Sequence, residues 1–292
     1  GFRKRYRDTG MFDAHAAWSL KSYKLVDATM KLPDMATGRL QFEMHGNFLD
    51  APSVNFYGLG NDTTSATKVD YSYRTTTVGA TATLKPAKVF SVGAGAESLA
   101  INAGDLNPAY LKTSAFAEID YRTAKSYATS GGLYRVDYSN YDERTSGANS
   151  FRRVDAEVQQ FIPVLRENWV IALRGLASTT EVSEGQSVPF FLTPDLGGKQ
   201  LLRGYSTWRF RDRNRMLLTG EYRWRAGQFV DMALFLDAGK VEDRLQDLDL
   251  TGLKTSYGIG ASFHTPGATV MRFEVARTQE GTSLLWSFGP SF

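Results

Sequence analysis

The chain has 292 residues, is 42% hydrophobic and 22% charged, carries a net charge of +3 and has no cysteine. Its 34 basic and 31 acidic residues are interleaved, which gives no basic patch for nucleic acid; the missing cysteines exclude a disulfide framework and a thiolate metal site. No stretch approaches the ~20 apolar residues of a membrane-spanning helix, while 14 Tyr, 18 Phe and 27 Gly against 9 Pro favour strands joined by tight turns.

In chain order, Met11 to Leu32 contains neither Gly nor Pro and reads as one long strand or as a hairpin turning at Lys21-Ser22-Tyr23. Strands follow at 38–50, 68–84, 88–99, 110–122, 128–140, 150–163, 167–179, 207–225, 228–240, 253–264, 268–278 and 282–292. Their period is two. Val154, Ala156 and Val158 alternate with Arg153, Asp155, Glu157 and Gln159. Leu218, Gly220, Tyr222 and Trp224 alternate with Thr219, Glu221 and Arg223, and Phe273 and Val275 with Arg272 and Glu274. These segments exceed the ~5–6 residues of an average soluble strand and match the length that crosses a tilted bilayer path. One face is apolar. The other carries both signs of charge, which can pair across strands around a wet lumen.

Short connections such as Lys85 to Lys88, Arg122 to Tyr127, Pro163 to Asn168, Ala226-Gly227 and Thr265 to Gly267 alternate with long polar ones. The long set is Gly58 to Lys68, Gly104 to Tyr110, Asp142 to Ser150, Thr180 to Tyr205 and Val241 to Leu253. Short periplasmic turns and long extracellular loops are the pattern of an outer-membrane barrel. In lipid every backbone polar group must be paired, so such a sheet must close. The fold class expected is therefore all-β, a closed antiparallel transmembrane β-barrel filling residues 1–292 as one domain. Fourteen strands are expected if Met11 to Leu32 is a hairpin, with twelve or sixteen as alternatives.

Hydrolytic chemistry finds no support in the sequence. His15, His45 and His264 lie on different strands without a Ser or Asp at a recognisable spacing, and Gly93-Ala94-Gly95 precedes no helix. The acidic run Glu242, Asp243, Asp247 and Asp249 reads as a solvated loop rather than a cation site. Trp18, Trp169, Trp208, Trp224 and Trp286 read as interfacial girdle or packing residues. No enzyme activity, cofactor or metal is expected.

Two constellations carry more. The chain ends Leu284-x-Trp286-x-Phe288-x-Pro290-x-Phe292, which resembles the C-terminal signal of outer-membrane barrels, with Phe292 expected in the lipid-facing phase. The longest loop holds Gly197-Gly198-Lys199-Gln200-Leu201-Leu202-Arg203-Gly204-Tyr205. It is followed by Gly220-Glu221-Tyr222-Arg223 and Phe235-x-Asp237-x-Gly239 on the next two strands. This resembles the loop motif and companion strand motifs of the BamA/TamA superfamily of outer-membrane assembly and translocation barrels. Phe56-Tyr57-Gly58-Leu59-Gly60-Asn61-Asp62 adds a turn motif found in members described as bacterial surface antigens.

The resemblance covers roughly residues 50–292, most strongly 195–292. It implies that the long loop folds back into the lumen and that Arg203 pairs with acids on the two following strands. Glu221 and Asp237 lie in the polar phase, as that requires, and an unpaired buried charge would be very costly. The site residues so implied are Arg203, Gly204, Tyr205, Glu221, Phe235, Asp237 and Gly239. The resemblance further implies insertion or translocation of substrates through a seam between first and last strands. Its implied partners are outer-membrane lipid, lipopolysaccharide and unfolded outer-membrane or secreted protein clients. The barrel pattern begins by about residue 11, which leaves no room within these residues for the family's periplasmic POTRA domains; either an N-terminal part has been removed or this is a barrel-only member. A passive pore or structural barrel, or the translocator of a passenger upstream of Gly1, remain the alternative functions.

Overall fold

The computed structural model describes residues 1–7, 9–164 and 168–292. Alternating sequence becomes alternating exposure. On β14 (Val230–Glu242), Leu234 and Leu236 are about half exposed while Phe235 and Asp237 are buried. The same phase runs through β13 (Asn214–Arg225), β15 (Lys254–Thr265), β16 (Ala268–Thr278) and β17 (Gly281–Phe288). A continuous exposed apolar outer surface around a charged interior suits a lipid-facing barrel.

Among the described residues, fifteen strands form one antiparallel sheet, one more than the fourteen expected. Met11 to Leu32 is indeed a hairpin. Its strands are β2 (Gly10–Trp18) and β3 (Lys24–Lys31), joined by a turn in which Ser22 adopts φ 64°. The extra strand is β1 (Phe2–Tyr6), which pairs with β2 in addition to that hairpin. From β4 (Leu40–Phe56) the order is sequential through β5 (Val69–Leu84), β6 (Phe90–Ala103), β7 (Ala109–Asp120), β8 (Gly131–Glu143), β9 (Phe151–Pro163) and β10 (Trp169–Glu181). Because every pairing is antiparallel and the count is odd, β1 and β17 run in the same direction. Among the described residues β1 has a ladder only with β2, and β17 only with β16.

β10 pairs directly with β13, so residues 182–213 form an insertion outside the sheet order. The predicted strand 207–225 is broken within it. Phe210–Arg211 (β12) pairs with Asp195–Leu196 (β11) in a small hairpin of its own, and β13 begins at Asn214. The insertion lies inside the barrel. Leu196, Leu202, Tyr205 and Phe210 form a buried cluster with Leu217 of β13 and Val241 of β14. Higher up, Phe191 joins Ile101, Tyr110, Tyr141 and Phe151. Trp208, expected as a girdle or packing residue, belongs to this insertion, where Arg211 approaches its ring at 5.3 Å.

The other end of the barrel also departs from expectation. The predicted short turn Arg122 to Tyr127 is the longer connection 121–130, and it crosses the lumen. Tyr127 donates to Asp231 of β14 at 2.7 Å, and the Thr269 N–H of β16 donates to the Ser126 carbonyl at 2.9 Å. The predicted turn Pro163 to Asn168 lies partly outside the described residues. Leu284, Trp286 and Phe288 point outward, at 82%, 55% and 66% exposure. Phe292 does not follow them. Gly289 takes φ 81° and Pro290 cannot donate to a ladder, so the chain turns inward. Phe292 then stacks on Phe161 at 5.8 Å beside Ala128, Val170 and Ala172.

The outward phase has a direct check. Leu236→Arg, on an outward position of β14, is expected to lower folding stability in lipid vesicles by about 2–4 kcal/mol, read from urea titrations. A solvated sheet face would lose almost nothing.

Candidate functional site

The insertion carries Arg203 into the middle of the lumen, where only 2% of its surface remains exposed. A guanidinium placed there must exchange water for carboxylates with well-made hydrogen bonds. Asp237 provides a bidentate partner, accepting from Arg203 Nε at 2.8 Å and Nη2 at 2.7 Å, and it also accepts the Arg203 backbone N–H at 3.2 Å. Arg203 Nη1 donates to Glu221 at 2.6 Å and to Glu274 at 2.8 Å. The planar fork uses all three directions of its donors.

The three carboxylates are in turn held in place. Thr219, directly opposite Asp237 in register, donates to it at 2.9 Å. Arg223 Nε donates to Glu221 at 2.7 Å, and Arg272 Nη1 lies 3.4 Å from Glu274. Three guanidinium groups thus face three carboxylates, so the network is charge-balanced in a region of low dielectric. Ser291, in the inward-turned C-terminus, donates to Glu221 at 3.0 Å and accepts from Arg223 at 2.9 Å. The last residues of the chain are therefore wired to the same cluster.

Phe235 lies flat under the charge, with its ring centre 3.6 Å from the Arg203 guanidinium carbon. It is seated against Gly258, its register partner on β15, where a Cβ would come within 2.6 Å of the ring. Gly204 takes φ 87°, and a Cβ there would meet Thr278 at 2.7 Å and Ala276 at 2.9 Å. Its carbonyl accepts from Ser283 of β17 at 2.9 Å. Tyr205 packs edge-on to Phe210 at 5.2 Å, away from the charges. At Gly239 a Cβ would approach the Met216 carbonyl at 2.7 Å and Leu196 at 3.0 Å, so its bareness lets β11 lie against the wall.

The structure brings Arg203, Glu221, Phe235 and Asp237 into one contact group. Gly204, Tyr205 and Gly239 shape its surroundings. Sequence reasoning did not place Glu274 or Thr219 at the site. Both were legible as lumen-phase residues, but the approach of β16 to β13 and β14 depends on barrel curvature. The C-terminal residues Leu284, Trp286 and Phe288 stay on the outer surface, and Phe292 joins the inner one.

A second basic anchor, Arg209, ties the insertion to its neighbours. It donates to Glu280 at 2.7 Å, to the Thr63 hydroxyl at 2.9 Å and to the Thr63 carbonyl at 2.7 Å, and lies 4.8 Å from the Tyr57 ring. The Gly60 N–H donates to the Arg211 carbonyl at 2.9 Å, so the Phe56 to Asp62 motif docks the β4–β5 loop on the insertion. The histidines sit apart, each beside a carboxylate brought near by strand register rather than by sequence spacing. His15 lies 3.1 Å from Asp27, His45 3.2 Å from Glu97 and His264 3.3 Å from Asp231. Around the β14–β15 loop, Lys240 of β14 faces Glu242 and Asp249, Arg213 of the insertion faces Asp243, and Arg244 faces Asp247. The hydroxyl and N–H of Thr251, with Lys240, hold the Asp249 carboxyl down to about 2.

A family model described as the Omp85 superfamily domain matches residues 35–289. The chain belongs to the Omp85 superfamily. It is accordingly a β-barrel of the Gram-negative outer membrane. The crystal structure of BamA from Haemophilus ducreyi lacking POTRA domains 1–3 superposes with a TM-score of 0.74 at 15% identity, covering 96% of this chain and 64% of that one. CdiB from Acinetobacter baumannii superposes with a TM-score of 0.57 at 9% identity, covering 96% of this chain and 53% of that one. The chain thus spans under two thirds of either structure's length. No curated protein matches it in sequence.

Removing the guanidinium should expose the dependence of the insertion on it. Arg203→Ala leaves three buried acids facing two arginines and is expected to cost about 3–5 kcal/mol. Trypsin cleavage within 182–213 of the folded, vesicle-embedded barrel should accelerate. Arg203→Lys keeps the charge without the fork and should give partial protection. An unchanged cleavage rate in both variants would show that other contacts hold the insertion.

Proposed function

We propose that this Omp85 barrel inserts or translocates protein substrates at the outer membrane through the seam between its first and last strands. The observation that carries the reading is the Arg203 cluster. It holds the insertion inside the lumen and reaches the last strand through Ser283 and the C-terminus through Ser291. An insertion anchored beside the seam is suited to respond when β17 moves. Edge strands are templates for pairing, so a seam of weakly held strands can receive an incoming hairpin. Unfolded outer-membrane or secreted proteins are the clients this chemistry suits, and outer-membrane lipid and lipopolysaccharide surround the barrel.

A passive pore is less favoured because the lumen is occupied from both ends, by the insertion and by residues 121–130. The roles assigned to Arg203, Glu221, Asp237 and the last strand rest on this reading.

In planar bilayers the wild-type barrel should give a small, flickering conductance that rises in Arg203→Ala. Reconstituted in vesicles, the wild type should accelerate insertion of a urea-unfolded outer-membrane barrel, and Arg203→Ala should slow it. A large, steady conductance insensitive to the substitution, with no acceleration of insertion, would establish the pore instead.

A further inference from the structure

The outward phase of β2 to β5 is apolar along most of its length and charged at one end. Register places Trp18 of β2, Lys24 of β3, Asp50 of β4, Arg74 of β5 and Asn102 of β6 side by side in one row. The next row inward along the strands holds Ala16, Val26 and Phe48, where the apolar surface begins. Val26, Met44 and Val78 on that surface are 47%, 51% and 63% exposed. β2 and β4 run in the same direction, so the turn 19–23 opens at the mouth that carries the long β4–β5 loop, the extracellular one.

A charge in the lipid-facing phase is costly at the bilayer midplane and nearly free at the interface, so this row marks the level of the outer headgroups. Trp18, 79% exposed in the same row, is the residue type of that level. Lys24 Nζ and Arg74 Nη2 both approach Asp50 Oδ2, at 3.5 and 3.4 Å, with side chains 50% and 54% exposed. Two cations against one carboxylate leave one positive charge. Their heads meet at a single oxygen, so one phosphate can touch both. The base of Lys24 is fixed, because the Tyr23 hydroxyl donates to the Ser53 carbonyl in the β4 bulge and the Tyr23 N–H to Ser19 Oγ at 3.2 Å.

We propose that Lys24 and Arg74 bind a phosphate of a lipopolysaccharide molecule in the outer leaflet, with Trp18 beside its sugar and an acyl chain on the apolar wall below. Exposed ion pairs hold weakly, so a phosphate competes with Asp50 for both cations. Arg74 offers a planar fork and Lys24 a point charge, the two ways side chains hold phosphate. The wall beneath has room for the chain. Ala14, Ala28 and Gly46 are neighbours in register, and a Cβ at Gly46 would meet nothing closer than 3.9 Å. Phe48 and Met44, two residues to either side of Gly46 on β4, border this shallow trough. The anion is the glycolipid of the outer leaflet because the row lies at the extracellular mouth. The site is on the wall and does not depend on the client function proposed above.

The test is native mass spectrometry of the purified barrel titrated with bisphosphorylated lipid A, with EDTA present so that no divalent cation bridges phosphate to Asp50. The double variant Lys24→Gln/Arg74→Gln should bind about tenfold more weakly than wild type. Lys24→Arg keeps the charge and should stay near wild type. Arg277→Gln removes another outward arginine, at the loop end of β16, and should leave binding unchanged. Lipid A stripped of both phosphates should bind the wild type as weakly as the phosphorylated form binds the double variant, a comparison that does not require any variant to fold. Undiminished binding by the double variant or of the stripped lipid would overturn the site. Phosphatidylglycerol binding the wild type as tightly as lipid A would reduce it to a general anionic surface and overturn the lipopolysaccharide assignment.

Discussion

A single buried guanidinium organises the interior of this barrel. Arg203 cannot enter a low-dielectric lumen alone, and the wall supplies acids from β13, β14 and β16 to receive it. That requirement reaches well beyond the ion pairs. It dictates an aromatic floor at Phe235, a bare position at Gly258 to seat that ring, and a left-handed glycine after the arginine to turn the chain between Ala276 and Thr278. Two further arginines, Arg223 and Arg272, keep the site neutral as a whole.

Charge pairing also explains why the last strand is held from within. β17 has one ladder, to β16, and its other edge faces the seam. The compensating contacts come from the lumen: Ser283 to the Gly204 carbonyl, Lys199 to the Trp286 carbonyl, Arg209 to Glu280, and Ser291 to Glu221. β17 is thus held by its ladder to β16 and, from the lumen, by contacts to the folded-in insertion and the charge cluster. The inward turn at Gly289 serves the same arrangement by carrying Ser291 and Phe292 to the cluster.

Much of the wall was legible from periodicity. Side-chain direction in a strand alternates strictly, so the phase of Glu221, Asp237, Arg272 and Glu274 against Tyr222, Leu236 and Phe273 follows once a strand is recognised. The hairpin within Met11 to Leu32 was one of two readings, because nothing but a polar Lys21-Ser22 marked its turn. The break at residues 212–213 was hidden because Thr207 to Arg225 contains no proline and only one glycine.

The sequence by itself determined the all-β class and the lipid-facing and lumen-facing sets, because these depend on local alternation; the grouping of Arg203, Glu221 and Asp237 was what the family resemblance implied, with alternation supplying only the lumen-facing phase of the two acids. Only the tertiary structure decided the fifteenth strand, the lumen crossing of residues 121–130, the inward fate of Phe292, and the arrival of Glu274 and Lys199 at their partners. Those depend on sheet curvature, which brings strands far apart in sequence across a shared lumen, and no local pattern encodes a distance across a barrel.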